Sequence, residues 1–181
     1  MSDNTLLVIY NVFNDKERDA LSQELNNYSW LLDNYSHNIT DRLFWSKRLF
    51  YPRYSANRYY DSIICKDIFK SRIEIATKQQ VEILRVHHNG QTHGQSGNWH
   101  TDSGCHEPSD IVYSLVYFPI KWQPEYGGHL LVKVNNEVQS ILPEFNKGVI
   151  FRTTAEHLAL EPSIYCKTMR ESISCCFKVL T

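Results

Sequence analysis

The stretch Gly97-Asn98-Trp99-His100-Thr101-Asp102-Ser103-Gly104 decides how the rest of the chain is read. On an extended segment side chains alternate, so His100 and Asp102 project to one face and offer a nitrogen and an oxygen ligand from three residues of chain. Alone, His-x-Asp carries little weight, because a chain with eight histidines and twenty acids contains such pairs by chance, most of them solvated. A metal centre needs more ligands. His106, with Cys105, would add to a purely local cluster, but structural zinc prefers four closed ligands rich in thiolate, and this group falls short. His157 would instead complete a set of two imidazoles and one carboxylate, drawn from distant strands that face one cavity.

The whole chain permits such a cavity. Its 181 residues, 42% hydrophobic and 22% charged with a formal net charge of -1, fit one globular domain of ordinary size. There is no basic excess to suggest nucleic acid as a partner, and no apolar run long enough for a membrane span. Met1-Ser2-Asp3-Asn4 lacks the basic and apolar parts of a signal peptide. The five cysteines (Cys65, Cys105, Cys166, Cys175 and Cys176) are odd in number and form no Cys-x-x-Cys pair, which points to reduced thiols and a cytoplasmic location.

Working outward from His100, the period-2 run Val81 to Val86 predicts a strand, followed by a polar loop from His87 to Gly97 that is a candidate substrate-mouth element. Ile111 to Phe118 is apolar on both faces, as a strand buried between layers should be. Strands are expected at His129 to Val134, Glu137 to Leu142, Gly148 to Phe151 and Arg170 to Leu180, with turns at Glu125 to Gly128 and Asn135-Asn136. Upstream, Leu6 to Val12 reads as a strand, Lys16 to Leu25 as a helix with an Asn14-Asp15 cap, and Cys65 to Lys78 as a second helix. The segment Arg42 to Tyr60 mixes aromatic and basic residues and reads as a loop packed on the core, or as part of a substrate mouth. These elements predict a mainly β fold with N-terminal helices: a double-stranded β-helix (jelly roll, cupin-like) backed by helices. It forms a single domain over 1–181, with helical support to about residue 80 and the jelly-roll core beyond. On such a frame His157 is a candidate to join His100 and Asp102 in the two-histidine, one-carboxylate set that suits non-haem Fe(II), the alternative being a partly buried histidine bonded to a backbone carbonyl.

Six pieces from Trp99 to Phe177 carry a resemblance. They are Trp99-His100-Thr101-Asp102, Leu115-Val116-Tyr117-Phe118 with Trp122, Gly127-Gly128-x-Leu130, Gly148-Val149-Ile150-Phe151, His157, and Arg170-Glu171-Ser172-Ile173-Ser174. In this order and spacing they resemble the 2-oxoglutarate- and Fe(II)-dependent dioxygenases, in particular the prolyl 4-hydroxylase-like branch. The resemblance implies that His100, Asp102 and His157 hold Fe(II), and that Arg170, Ser172 and Tyr117 bind the distal carboxylate of 2-oxoglutarate. Lys167 is the rival for the Arg170 role, since it falls at the family's usual lysine distance from His157. Dioxygen is the further reactant and ascorbate a candidate reductant. Asn98, Trp99 and Arg58 are the implied substrate contacts, and a prolyl residue of a protein or peptide is the implied target of hydroxylation. A small molecule, a nucleobase, or a binding module without chemistry are the alternatives. Two features depart from the family pattern: the spacing from His157 to Arg170 is a few residues longer than usual, and His129 stands where many relatives have an acid. Cys176 stands where the nucleic-acid-dealkylating branch has a second arginine, which weighs against a nucleobase substrate. The other histidines (His37, His87, His88, His93 and His106) read as loop or surface residues.

Overall fold

The computed structural model describes residues 6–36, 42–52, 60–102 and 111–180. Strand β1 (Leu7–Tyr10) leads to helix α1 (Asp15–Asn26), then strands β2 (Leu31–Asn34) and β3 (Phe44–Phe50) and helix α2 (Ile63–Thr77). Strands β4 (Val81–Gln91), β5 (Val112–Phe118), β6 (Leu130–Val134), β7 (Glu137–Ile141), β8 (Lys147–Arg152), β9 (His157–Ala159) and β10 (Arg170–Val179) follow. All the strand pairs are antiparallel. They form a seven-stranded sheet in the order β1-β8-β5-β10-β4-β3-β2 and a three-stranded sheet in the order β7-β6-β9. This is the expected jelly roll with helical backing.

Both helices begin where side chains satisfy the backbone. Asn14 Oδ1 accepts from the Glu17 N–H at 3.0 Å while Glu17 Oε2 accepts from the Asn14 N–H at 2.9 Å, a reciprocal capping box. Ser62 caps α2 through the Cys65 N–H. The same Glu17 accepts from Arg72 Nε at 2.9 Å and so ties α1 to α2.

The two layers enclose two cores. Phe13, Leu21, Phe69, Ile73, Tyr113, Leu115 and Phe177 pack between the helices and the outer face of the large sheet. Val116, Phe118, Leu130, Val132, Val149 and Phe151 fill the space between the sheets. Strand β5 serves both, which is why every one of its residues is buried.

The loop between β7 and β8, which joins the two sheets, is held by one amide. Asn146, in the left-handed region at φ 61°, accepts from the Phe13 N–H at 3.0 Å through Oδ1 and donates to the Phe13 carbonyl at 2.8 Å through Nδ2. Asn146→Ala leaves the buried Phe13 N–H without its acceptor, while the Phe13 carbonyl still accepts from Arg18 Nη1 at 2.9 Å, so a loss of about 1–3 kcal/mol in urea unfolding free energy is expected. Asn146→Asp, which keeps the acceptor, should cost less.

Four elements differ from the sequence reading. Strand β4 runs five residues past Val86, because His87 to Gln91 pair with Arg170 to Ser174 of β10 and with Trp45 to Arg48 of β3. Polarity there marks a cavity wall, not a loop. A Cβ at Gly90 would meet the end of the Met169 side chain, which packs over this glycine. The Arg42 to Tyr60 segment contains β3, with Phe44, Leu49 and Phe50 buried, and β2 and β9 were not foreseen as strands. The Asn135-Asn136 turn is present, both residues at positive φ as a tight hairpin demands.

Alternation along β4 turns His88 away from the strand's cavity-facing residues. It is 2% exposed, with Nε2 2.8 Å from Glu171 Oε2 and its ring 4.5 Å from that of Trp30. Burial, only partly opposed by the Glu171 hydrogen bond, lowers its pKa. The unfolded chain therefore binds a proton at a pH where the folded chain does not, and stability should fall as pH drops below about 6.5. His87, also held low by burial, acts with the same sign. Urea midpoints between pH 7.5 and 5.5 should decline, by up to about 1.4 kcal/mol per pH unit for each such proton, and His88→Asn should flatten the slope.

Candidate metal centre

His157 opens β9, and its backbone pairs with that of His100 in an isolated antiparallel bridge. The His100 N–H donates to the His157 carbonyl at 3.1 Å and the His157 N–H to the His100 carbonyl at 2.9 Å. Two residues on, the Asp102 N–H donates to the Thr153 carbonyl at 2.9 Å. Ligand atoms of His100, Asp102 and His157 all lie within 4.8 Å of one another.

Each imidazole is oriented by the same local device. His100 Nδ1 donates to the Asn98 carbonyl at 2.8 Å, and His157 Nδ1 to the Ala155 carbonyl at 3.1 Å, each two residues upstream. A carbonyl can only accept, so both rings carry their proton on Nδ1 and are free to present the Nε2 lone pair. Asp102 Oδ2 stands 3.8 Å from His157 Nε2. Burial would raise the Asp102 pKa, but the Arg85 charge, the His157 ring and the Ser114 hydrogen bond more than offset it, and the carboxyl stays well below its usual range. Burial lowers His157, with Asp102 pulling the other way. At neutral pH the triad is thus one carboxylate and a neutral His157 imidazole, the forms that bind metal. Two imidazole nitrogens and one carboxylate, without a thiolate, fit a divalent ion with open positions better than a closed zinc site. His106 and Cys105, the local zinc alternative, lie outside the described residues.

A cavity of about 270 Å³ runs from this triad along the inner face of the large sheet to Arg170. Arg170 is 1% exposed. Its Nε donates to the Gly128 carbonyl at 2.6 Å and its Nη1 to Gln91 Oε1 at 2.9 Å, while the guanidinium lies 5.6 Å from the centre of the Phe118 ring. Gly128, at φ 68°, lets the chain turn and lets the arginine stem pass within 3.0 Å of where a Cβ would be. Burial lowers the Arg170 pKa to about 10, so it remains a cation at neutral pH. Its Nη2 is buried with no hydrogen-bond partner, and no carboxylate pairs with it among the described residues. A buried guanidinium with one orphaned nitrogen fits a carboxylate ligand. Ser172, 5% exposed, lines the same cavity with its Oγ 3.4 Å from Arg170 Nη1.

Other expected site residues fall elsewhere. Tyr117 is corrected: Val116, not Tyr117, faces the cavity. The tyrosine ring lies 4.8 Å from Phe13 and 6.1 Å from Phe69 under the helices, because odd-numbered residues of β5 point outward. Lys167 is exposed in the segment before β10 and does not line the cavity, whereas Arg170 does. Trp99 points to the opposite side from His100 and meets Lys133 Nζ at 4.7 Å, and Asn98 is exposed; neither lines the cavity. Asn98 contributes through its carbonyl. Arg58 lies outside the described residues.

The sequence reading places His87, Asn89 and Gln91 in a loop at the substrate mouth and misses Arg85; the four stand together at a strict period of two as the β4 wall of the cavity. His87 and His88 are also corrected, since the first lines the cavity and the second is buried behind it. Asn34, Tyr35 and Ser36, at and beyond the end of β2, complete the far wall, and Asn34 Nδ2 donates to Asn89 Oδ1 at 3.1 Å.

The model of the 2OG-Fe(II) oxygenase superfamily matches residues 84–177, or 94 of 181 (177 − 84 + 1), just over half of the chain. No curated protein matches in sequence. Among solved structures, a Trichoplax adhaerens prolyl hydroxylase in complex with a hypoxia inducible factor peptide fragment is 14% identical, with TM-score 0.66 over 98% of this chain and 84% of that one. A 2OG-Fe(II) oxygenase family oxidoreductase from Burkholderia pseudomallei is 12% identical, with TM-score 0.71 over 96% and 84% of the two chains. A Pseudomonas putida prolyl-4-hydroxylase is 15% identical, with TM-score 0.63 over 97% and 93%. At such identities the likeness is one of fold. Taken with the superfamily match across the cavity-forming strands, it shows that the chain belongs to the 2OG-Fe(II) oxygenases, whose chemistry uses Fe(II) and 2-oxoglutarate.

Proposed function

We propose that this oxygenase holds Fe(II) with His100, Asp102 and His157, pairs the distal carboxylate of 2-oxoglutarate with Arg170 and Ser172, and hydroxylates a prolyl residue of a protein or peptide. The observation that carries the reading is the joining of the triad, with Asp102 ionised and His157 neutral, to a buried and unneutralised guanidinium by one cavity.

When bound, Fe(II) and 2-oxoglutarate supply the oxidising power, the keto acid being decarboxylated to succinate as a C–H bond is oxidised. The chain's own residues orient and shield. Asn98 and Ala155 fix the two imidazole tautomers through their carbonyls. Arg170 offers Nη2, while Gly128 and Gln91 hold the rest of its fork in place. Val116 and Leu130 supply apolar wall between the charged ends, limiting water around the reacting centre. The prolyl assignment is supported by the fold shared with prolyl hydroxylases, one of them solved with a peptide fragment. The formal net charge of -1 weighs against a nucleic-acid polyanion. No helix among the described residues is long and apolar enough to cross a membrane.

The test is anaerobic addition of Fe(II) and 2-oxoglutarate. A weak visible charge-transfer band should develop in the wild type and be absent in His100→Ala. Succinate release should then rise with prolyl peptides. Stimulation by free amino acids or alkylated oligonucleotides instead would replace the substrate while keeping the oxygenase, and a missing band would remove both.

A further inference from the structure

Asp102 is held by more than its own backbone. Arg85, on β4, lies across the ladder from Cys176 on β10. Its Nη2 donates to Asp102 Oδ1 at 2.9 Å and passes 3.1 Å from Cys176 Sγ, whose small side chain leaves room for the guanidinium. The Arg85 and Asp102 side chains are only 19% and 11% exposed, so the pair is poorly screened. The other oxygen, Oδ2, accepts from Ser114 Oγ at 2.7 Å and is the one 3.8 Å from His157 Nε2. The two carboxylate oxygens are therefore chemically distinct: Oδ1 is tied into an ion pair, while Oδ2 accepts from neutral donors, Ser114 Oγ and, at 3.8 Å, Cys176 Sγ, and lies on the His157 side.

We propose that Arg85 is a positioning residue that holds Asp102 to a single metal-facing oxygen, so that the carboxylate does not occupy a second position needed by the cosubstrate. For Asp102 to present both oxygens it would have to abandon a charge-assisted, largely buried hydrogen bond. This inference rests on the triad reading of the preceding section, and it goes beyond it by giving Arg85 a task that an ordinary structural ion pair would not have. The two roles differ in what they do to metal and to cosubstrate. A residue that merely keeps Asp102 in place should, when lost, weaken metal binding. A residue that limits Asp102 to one oxygen should, when lost, leave metal binding intact or tighter, since a competing cation has gone, and weaken the cosubstrate.

The experiment compares the full chain with its Arg85→Met and Arg85→Lys variants. Apoproteins are first checked by circular dichroism and thermal unfolding, then titrated anaerobically with Fe(II) and next with 2-oxoglutarate, following the charge-transfer band. Arg85→Met should bind Fe(II) at least as tightly as wild type but need about tenfold or more 2-oxoglutarate to develop the band, in the range of other changes next to metal ligands. Arg85→Lys keeps a cation within reach of Oδ1 and should titrate close to wild type. A wild-type 2-oxoglutarate titration in Arg85→Met overturns the proposal, and so does a parallel loss of Fe(II) affinity. If Arg85→Met does not fold, Arg85→Gln, with its shorter neutral side chain, carries the same comparison. Asp102→Ala separates the two levels: if it still binds Fe(II) and develops the band, the triad reading itself fails. If it loses both while Arg85→Met behaves as wild type, only the Arg85 role fails.

Discussion

Replacing Arg170 by alanine is expected to raise the 2-oxoglutarate concentration needed for half-maximal succinate release by about 10²- to 10³-fold. Truncating one partner of a buried, hydrogen-bonded charge pair costs roughly 3–4 kcal/mol, and each 1.4 kcal/mol is a factor of ten. The site offers little to compensate. Arg170 is 1% exposed, and Ser172 adds a neutral hydroxyl, not a second cation. Arg170→Lys should recover only part of the loss, because an ammonium cannot hold the Gly128 carbonyl and Gln91 while also addressing a carboxylate as a fork does. Lys167→Ala should leave the 2-oxoglutarate dependence unchanged, its side chain being in solvent. A strong effect of Lys167→Ala with a mild one of Arg170→Ala would reverse the assignment.

The second large effect is expected at Asp102. Asp102→Ala should bring iron retention down to background and also lower the stability of the metal-free protein by about 3 kcal/mol, since a largely buried ion pair between Asp102 and Arg85 is broken. The two losses are separately measurable, by metal analysis after desalting and by urea unfolding of apoprotein. His100→Ala should show the first without the second. His100 is partly exposed and takes its main polar anchor from a carbonyl two residues away. The double variant Asp102→Ala/Arg85→Met should regain part of the stability without regaining iron, because it removes the stranded charge along with its partner.

How much of this was legible beforehand depended on whether local pattern and tertiary role agreed. Strands β5, β6, β7, β8 and β10 were foreseen to within about a residue, since each carries apolar residues at the period or density that a buried strand needs. Strand β4 was cut short at Val86 because His87, His88, Asn89 and Gln91 look like loop residues, yet their alternation is that of a strand with a polar cavity on one side. The face of Tyr117 was misjudged although the phase was present in the sequence. Ser114 is the one polar side chain among residues 112–118, it bonds Asp102, and it places the even positions toward the cavity. The triad was reachable because His-x-Asp is local and His157 sits in a recognisable series of pieces. Arg85 was not, because nothing near residue 85 in the chain announces that an acid seventeen positions later will turn toward it.

The reciprocal backbone hydrogen bonds between residues 100 and 157 join two of the three proposed ligands by main-chain contacts that involve no ion. Departure of the metal would therefore not release those two imidazoles from each other, and reloading would require little searching by the chain. Such a centre should exchange its ion reversibly: prolonged chelation ought to yield a folded, silent protein that recovers its charge-transfer band within the mixing time when ferrous salt and keto acid are returned under argon.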